Sequence, residues 1–153
     1  MVNKKIVTIF LLLFLITSTI SCVYADDDDR SYSITQALVD IIVDTNGMLH
    51  INETFDYSFD GTFNGVYRDI PLKEGESISN INVSAEGAYT KVEQHQEDGT
   101  QHIKIYLYSD AAKTQPISDT DVKVHISYDM KNVVTVYQDT ASLQYQLWGD
   151  QWA

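Results

Sequence analysis

From residue 33 onward the chain alternates apolar and polar residues with a period of two, and no segment keeps a 3.6-residue period for three turns. The alternation predicts strands over 33–43, 48–59, 78–84, 89–97, 100–108, 122–129, 133–138 and 141–148, with clusters of turn residues between them. Short strands at this spacing predict an all-β fold, an antiparallel β-sandwich of about seven to eight strands. Pro71 and Pro116 are the only prolines, and both are assigned to connections.

Two hairpins have a register that side-chain patterning fixes. Ala37, Val39, Ile41 and Val43 share one face, and Leu49, Ile51, Phe55, Tyr57 and Phe59 share the corresponding face of the next strand. A two-residue Asn46-Gly47 turn would put these sets on opposite faces. The loop Thr45-Asn46-Gly47 pairs Val43 with Leu49 and Ile41 with Ile51, so that loop is predicted, with Gly47 in the left-handed conformation of a bulge. In the second hairpin, a two-residue Asp98-Gly99 turn pairs Val92 with Ile105 and Thr90 with Leu107. Its other face then sets Glu93 opposite Lys104 and His95 opposite His102.

The first 25 residues read differently. Lys4 and Lys5 precede an unbroken run of apolar, Thr and Ser residues from Ile6 to Ile20, and Val23 and Ala25 occupy the selective positions of a small-residue cleavage site. The segment is a signal peptide or an N-terminal membrane anchor. Uncut, Ile6–Ala25 would reach about 30 Å, enough to span a bilayer. Thr19-Ile20-Ser21-Cys22 is a poor lipobox, so the order of expectation is cleavage after Ala25, then anchor, then lipoprotein. Residues 26–32, beginning Asp26 to Asp29, form an acidic tail that no hydrocarbon would accommodate, and the working domain is expected to be exported: extracellular, or membrane-anchored and facing outside.

Composition narrows the function classes. The chain carries a formal charge of -12, or -14 once Lys4 and Lys5 leave with the leader. No basic patch is available for phosphate backbones, which argues against nucleic acid, and a bare anionic lipid surface would repel the domain. Contact with a membrane is therefore expected only through Ile6–Ala25 if it stays uncut. Cys22 is the only cysteine and lies in the leader, so stability must come from packing without disulfides. Asn52-Glu53-Thr54 and Asn82-Val83-Ser84 fit the glycosylation acceptor pattern.

Candidate chemistry is sparse. His95 and His102, directly opposed, would have Cβ atoms about 5 Å apart, but two ligands are too few for a metal site. Asp44, Asn46, Gly47, Leu49 and Glu53 match part of a calcium loop, yet its first position would be Ile42, and the residues serve better as a turn. No nucleophile elbow, zinc-helix motif or phosphate-binding glycine loop is present, so no catalytic residue and no cofactor are assigned. Glu53 is the one charged member of an apolar stripe and needs solvent or a partner. Arg68 suits a buried carboxylate because its planar fork bonds two oxygens at once, which makes Glu53 and Arg68 a candidate structural ion pair, with Asp69 or a later Asp as other partners.

The stretch from Ile41 to Pro71 is the most specific in the chain. It contains the Gly-turned, Glu-Thr-bearing hairpin and then Gly65-Val66-Tyr67-Arg68-Asp69-Ile70-Pro71. With Tyr128 to Asn132, Tyr137 to Thr140 and Trp148-Gly149-Asp150-Gln151-Trp152, it resembles the DUF2207 family of predicted membrane proteins. The resemblance covers nearly all of 33–152. It implies an extracytoplasmic β-sandwich over 33–153, incomplete at its C-terminus, which in the family is followed by more of the same domain and by transmembrane helices. It carries over no catalytic residue; Tyr67, Arg68, Asp69 and Pro71 come across only as a shared motif. The expected role is a non-enzymatic interaction or scaffold domain at the cell envelope, with Phe63, Tyr67 and Arg68 as contact candidates. The expected partner is an envelope protein or the remainder of the family architecture. A glycan- or wall-binding module is the alternative, and a carboxylate-based hydrolase a remote one.

Overall fold

A computed structural model describes residues 30–145. It is antiparallel β throughout, with no helix among the described residues. The strands are β1 (Ser31–Val43), β2 (Leu49–Phe63), β3 (Gly65–Pro71), β4 (Ser77–Glu86), β5 (Tyr89–Glu97), β6 (Thr100–Tyr108), β7 (Ile117–Lys131), β8 (Val134–Val136) and β9 (Ala141–Leu143). One sheet has the order β1-β2-β7-β4, the second β3-β6-β5, and β8 and β9 form a small hairpin.

Period-two patterning explains the core. On β2, Leu49, Ile51, Phe55, Tyr57 and Phe59 all point inward and are at most 5% exposed. β7 adds Val122, Val124, Ile126, Tyr128 and Met130, and β6 adds Ile103, Ile105 and Leu107, so both sheets enclose one core. Each such side chain contributes about 1.5–3 kcal/mol by leaving water. Along β2 the rings form a ladder, with Tyr57 stacked on Phe59 at 5.5 Å and Phe59 tilted against Phe63 at 4.9 Å.

The two hairpins have the registers that patterning predicts. Val43 faces Leu49 and Ile41 faces Ile51. Gly47 has φ +76°, and the Asp44 carboxylate accepts the N–H groups of Asn46 and Met48. Val92 faces Ile105, Thr90 faces Leu107 and His95 faces His102. Asp98 and Gly99 both have positive φ, as a type I′ turn requires. Glu93 does stand opposite Lys104, but its ion pair is with Lys91, at 2.8 Å.

Three strand expectations need correction. Residues 65–71 form an edge strand rather than a connection, and Pro71 is its last residue; an edge tolerates proline because no neighbouring strand needs its N–H. Pro116 does lie outside the named strands, in an isolated bridge with Tyr108. β7 begins at Ile117, five residues before its clean alternation starts. The final hairpin is shorter than predicted, with β8 and β9 of three residues each, and residues 146–148 of the last predicted strand lie outside the described residues. The leader and most of the acidic tail lie outside them as well.

The crossing from one sheet to the other takes a single residue, Asn64. Its carbonyl accepts the Leu107 N–H at 3.0 Å, which pins β3 to β6 at once. Gly65 follows with φ +153°, and a Cβ built there would lie 2.0 Å from the Ile105 carbonyl oxygen. No flexible side chain can give way, because the obstacle is backbone. Gly65→Ala is therefore expected to destabilise the domain by about 3 kcal/mol or more. Urea unfolding checks this, and a variant within about 0.5 kcal/mol of the parent would show that the corner is not tight.

Candidate functional site: the strand Gly65–Pro71

Alternation on β3 sends its side chains two ways. Arg68 and Ile70 point into the core, 4% and 1% exposed, while Tyr67 and Asp69 point outward.

The inward side holds the buried ionic node of the described structure. Arg68 donates from Nε to Glu53 Oε2 at 2.7 Å and from Nη2 to Glu53 Oε1 at 2.6 Å. Glu53, 1% exposed on β2, also accepts the Tyr128 hydroxyl at 2.9 Å. Tyr128 in turn meets the Tyr145 hydroxyl at 2.5 Å, and Arg68 Nη1 donates to the Asp69 carbonyl at 2.8 Å. The carboxylate thus accepts three donors, and the pair ties one sheet to the other. Burial works against the Arg68 charge, but the bonds to Glu53 prevail and push its pKa up. Burial pushes the Tyr128 phenol up, with the Glu53 charge adding to it. Burial raises Tyr57 and Tyr145 as well.

The outward side is a row of rings and lysines across β3, β6 and β5. Lys104 Nζ lies 5.4 Å from the Tyr67 ring centroid and 4.6 Å from that of Tyr106, and Lys91 Nζ lies 5.2 Å from Tyr106. The Tyr106 and Tyr67 hydroxyls raise the Lys104 pKa, so the lysine is charged throughout the neutral range. Tyr106 donates to Glu93 at 3.0 Å and stacks beside Tyr108. Tyr67 is 64% exposed and Tyr89 50%. Below this row His95 and His102 stack at 4.9 Å, and His102 Nδ1 bonds Asp69 at 2.8 Å.

The other sequence candidates fall into ordinary roles. Asp44, Asn46 and Gly47 build the hairpin turn, and Glu53 is withdrawn into the core, so these residues do not converge on a calcium site. No group of three His, Cys, Asp or Glu side chains is placed to hold a metal among the described residues. His50 bonds Asp129, and His125 bonds Glu86 and Thr54 on the polar outer face of the four-stranded sheet. Asn52 and Asn82 both lie opposite Ser127 on that face. Arg68 is buried, so a direct contact role does not fit it, and Phe63 is half-buried; of the motif, Tyr67 is the exposed aromatic. Sequence reasoning missed Tyr128 and Tyr145 in the node. A signal existed for Tyr128: it shares a face with Val122, Val124 and Ile126, and a buried phenol needs a bonding partner.

The family model for the DUF2207 N-terminal domain, described as a predicted membrane protein, matches residues 33–153. No curated protein matches the chain, and no solved structure matches it.

Removing one partner of the node leaves an uncompensated buried charge, so Arg68→Ala is expected to cost about 3–5 kcal/mol. The double change Arg68→Met with Glu53→Leu should recover most of that. Denaturant midpoints of the three proteins test this, and a double variant no better than Arg68→Ala would remove the ion pair as the cause. The raised phenols predict a second effect. A tyrosine whose folded pKa exceeds its ordinary value of 10.0 keeps its proton where the unfolded chain loses it. The contribution is therefore full below pH 10.0 and falls as pH rises above it. Absorbance of tyrosinate and circular dichroism should show Tyr57 and Tyr128 ionising only together with unfolding; free titration of all ten tyrosines in a folded chain would contradict this.

Proposed function

We propose, from the premise that the chain belongs to the DUF2207 N-terminal domain family, that residues 33–153 work as an exported, non-enzymatic interaction domain at the cell envelope. The observation that carries this reading is the outer face of β3-β6-β5. There Tyr67, 64% exposed, stands on a strand whose next residue is locked by two bonds to Glu53. A rigidly mounted aromatic beside a lysine is the kind of anchor that dominates protein interfaces. The partner is an envelope protein offering an apolar recess for the ring and a carboxylate for Lys104. The buried ionisable groups support the non-enzymatic part, because the Glu53 oxygens are taken up by Arg68 and Tyr128.

Tyr106 and Tyr108, nearly parallel at 21°, support a second reading in which the same face stacks sugar rings of wall material. Tyr67→Ala is expected to change stability by less than about 0.5 kcal/mol while abolishing cross-linking to a defined partner in envelope extract. Unchanged cross-linking in the folded variant would end the protein-interface reading, and binding to wall polymers lost on the same substitution would favour the glycan one. Export is tested by intact mass: a product beginning at Asp26 outside the cytoplasm is expected, whereas a chain retaining residues 1–25 in the membrane fraction would make the domain tethered.

A further inference from the structure

The two large sheets end in β1 and β4 and in β3 and β5, and three of these edges carry features that blunt them. β3 is seven residues long and holds Asp69 and Pro71. β5 holds Lys91, Glu93 and Glu97. β4 has an irregularity between Ser79 and Asn82, with Asn80 at φ +54°. β1 is blunted only near its start, where the register slips between Ile34 and Gln36. From Gln36 to Val43 it pairs regularly with β2 and has a single charge, Asp40. No strand lies beyond it among the described residues.

The backbone shows which groups await a neighbour. Asp44 donates its N–H to the Met48 carbonyl at 2.9 Å. Antiparallel alternation then turns the N–H and C=O groups of Leu38, Asp40 and Ile42 toward β2, and those of Ala37, Val39, Ile41 and Val43 off the open edge. The side chains along this row are mostly apolar and poorly covered. Leu38 and Ile42 are 51% and 61% exposed on the outer face. On the inner face Val43 is 45% exposed and Val39 and Ile41 are half-buried, although all three pair with core residues of β2.

We propose that β1 pairs antiparallel with β1 of a second copy, so that two four-stranded sheets become one continuous sheet. A partner at this edge must bring an extended strand with an open row of its own, and Ala37–Val43 is such a strand. A basic partner, which the net charge of -12 would otherwise favour, finds only Asp40 in the row. The sequence also selects the register. A two-fold axis at Asp40 would set two carboxylates directly opposite each other. An axis at Val39 would bring Val43 against Thr35, at the irregularity. An axis at Ile41 avoids both: Ile41 meets its copy, Val39 meets Val43, and Asp40 meets Ile42. A two-fold contact uses the same edge on both chains. The irregular β4 edges then bound the joined sheet, so assembly stops at two copies.

Sedimentation equilibrium on the full chain tests this, in a mild detergent that shields residues 1–25. A reversible dimer is expected. Val43→Pro removes an N–H that points off the edge and none that bonds β2, so the variant should fold, by circular dichroism, and stay monomeric. Ile42→Asp sets a second carboxylate opposite Asp40 and should weaken the dimer about tenfold, whereas Ile42→Lys should keep it. Ile42 is exposed, so this pair of variants decides the matter even where Val43→Pro fails to fold. The Val39, Ile41 and Val43 amides should gain protection from hydrogen exchange as concentration rises through the dimer range. A monomer at every attainable concentration would overturn the proposal. So would a dimer that folded Val43→Pro leaves intact, which would place the contact elsewhere. Protection of those three amides in the monomer would also overturn it and assign the edge to the chain itself. Equal effects of the two Ile42 changes would overturn the pairing centred on Ile41.

Discussion

The buried bond between Glu53 and Arg68 is the constraint on which the arrangement turns. An ionised carboxylate at the centre of β2 would cost several kcal/mol if it lacked partners. Its oxygens are instead met by the Arg68 fork and the Tyr128 hydroxyl, and these come from different sheets. Hydrophobic packing would let the sheets slide and repack over a range of offsets. A bidentate pair tolerates little displacement, so it selects one offset and places β3 under β2. Apolar residues of the same volume can give comparable stability, so what such a pair adds is a specification of how the two layers meet.

That constraint explains the local sequence around it. Arg68 can reach Glu53 only if the chain leaves β2 and enters the other sheet within a few residues. Asn64 and Gly65 make that corner, and the Ile105 carbonyl occupies the space any larger residue would need. Gly61, at φ +87°, loosens the end of β2 just before it, where the register slips between Phe59 and Thr62. The Asp119 carboxylate accepts the Gly61 N–H at 2.7 Å and closes the irregularity; this bond holds the carboxyl below its usual range. Each residue of Gly65-Val66-Tyr67-Arg68-Asp69-Ile70-Pro71 then has a position set by the corner, the alternation or the strand end.

Much of this was legible from patterning. Where a strand alternates cleanly and a turn has glycine at the required place, as at Thr45-Asn46-Gly47 and Asp98-Gly99, register follows from counting. The all-β class follows from the same period. β3 was not legible because a strand of seven residues that contains Arg, Asp and Pro lacks the composition that marks strands. Its alternation is real but inverted in character, with an arginine taking an inward position. Tyr145 was illegible for another reason: its role depends on a long-range approach of the C-terminal segment to Tyr128, which no local pattern encodes. The half-exposure of β1 was hidden likewise, because Ala37, Val39, Ile41 and Val43 read as a core face whether or not a facing strand exists.

The two sides of β3 bear on function differently, and the difference can be argued from charge satisfaction. A group that transfers protons or attacks a substrate needs a lone pair or a proton that the fold has not committed. Glu53 has its oxygens occupied by donors, and Arg68 spends its fork on Glu53 and the Asp69 carbonyl. The inward side is thereby consumed in holding the layers together. On the outward side the partners are weaker and water-accessible: a lysine above two rings, a tyrosine bonded to an exposed glutamate, and a histidine bonded to an exposed aspartate. Such contacts exchange readily for those of a partner, because solvent already screens them and little is lost when they rearrange. A strand that is rigid behind and adaptable in front suits recognition, and the ion pair behind it supplies the rigidity.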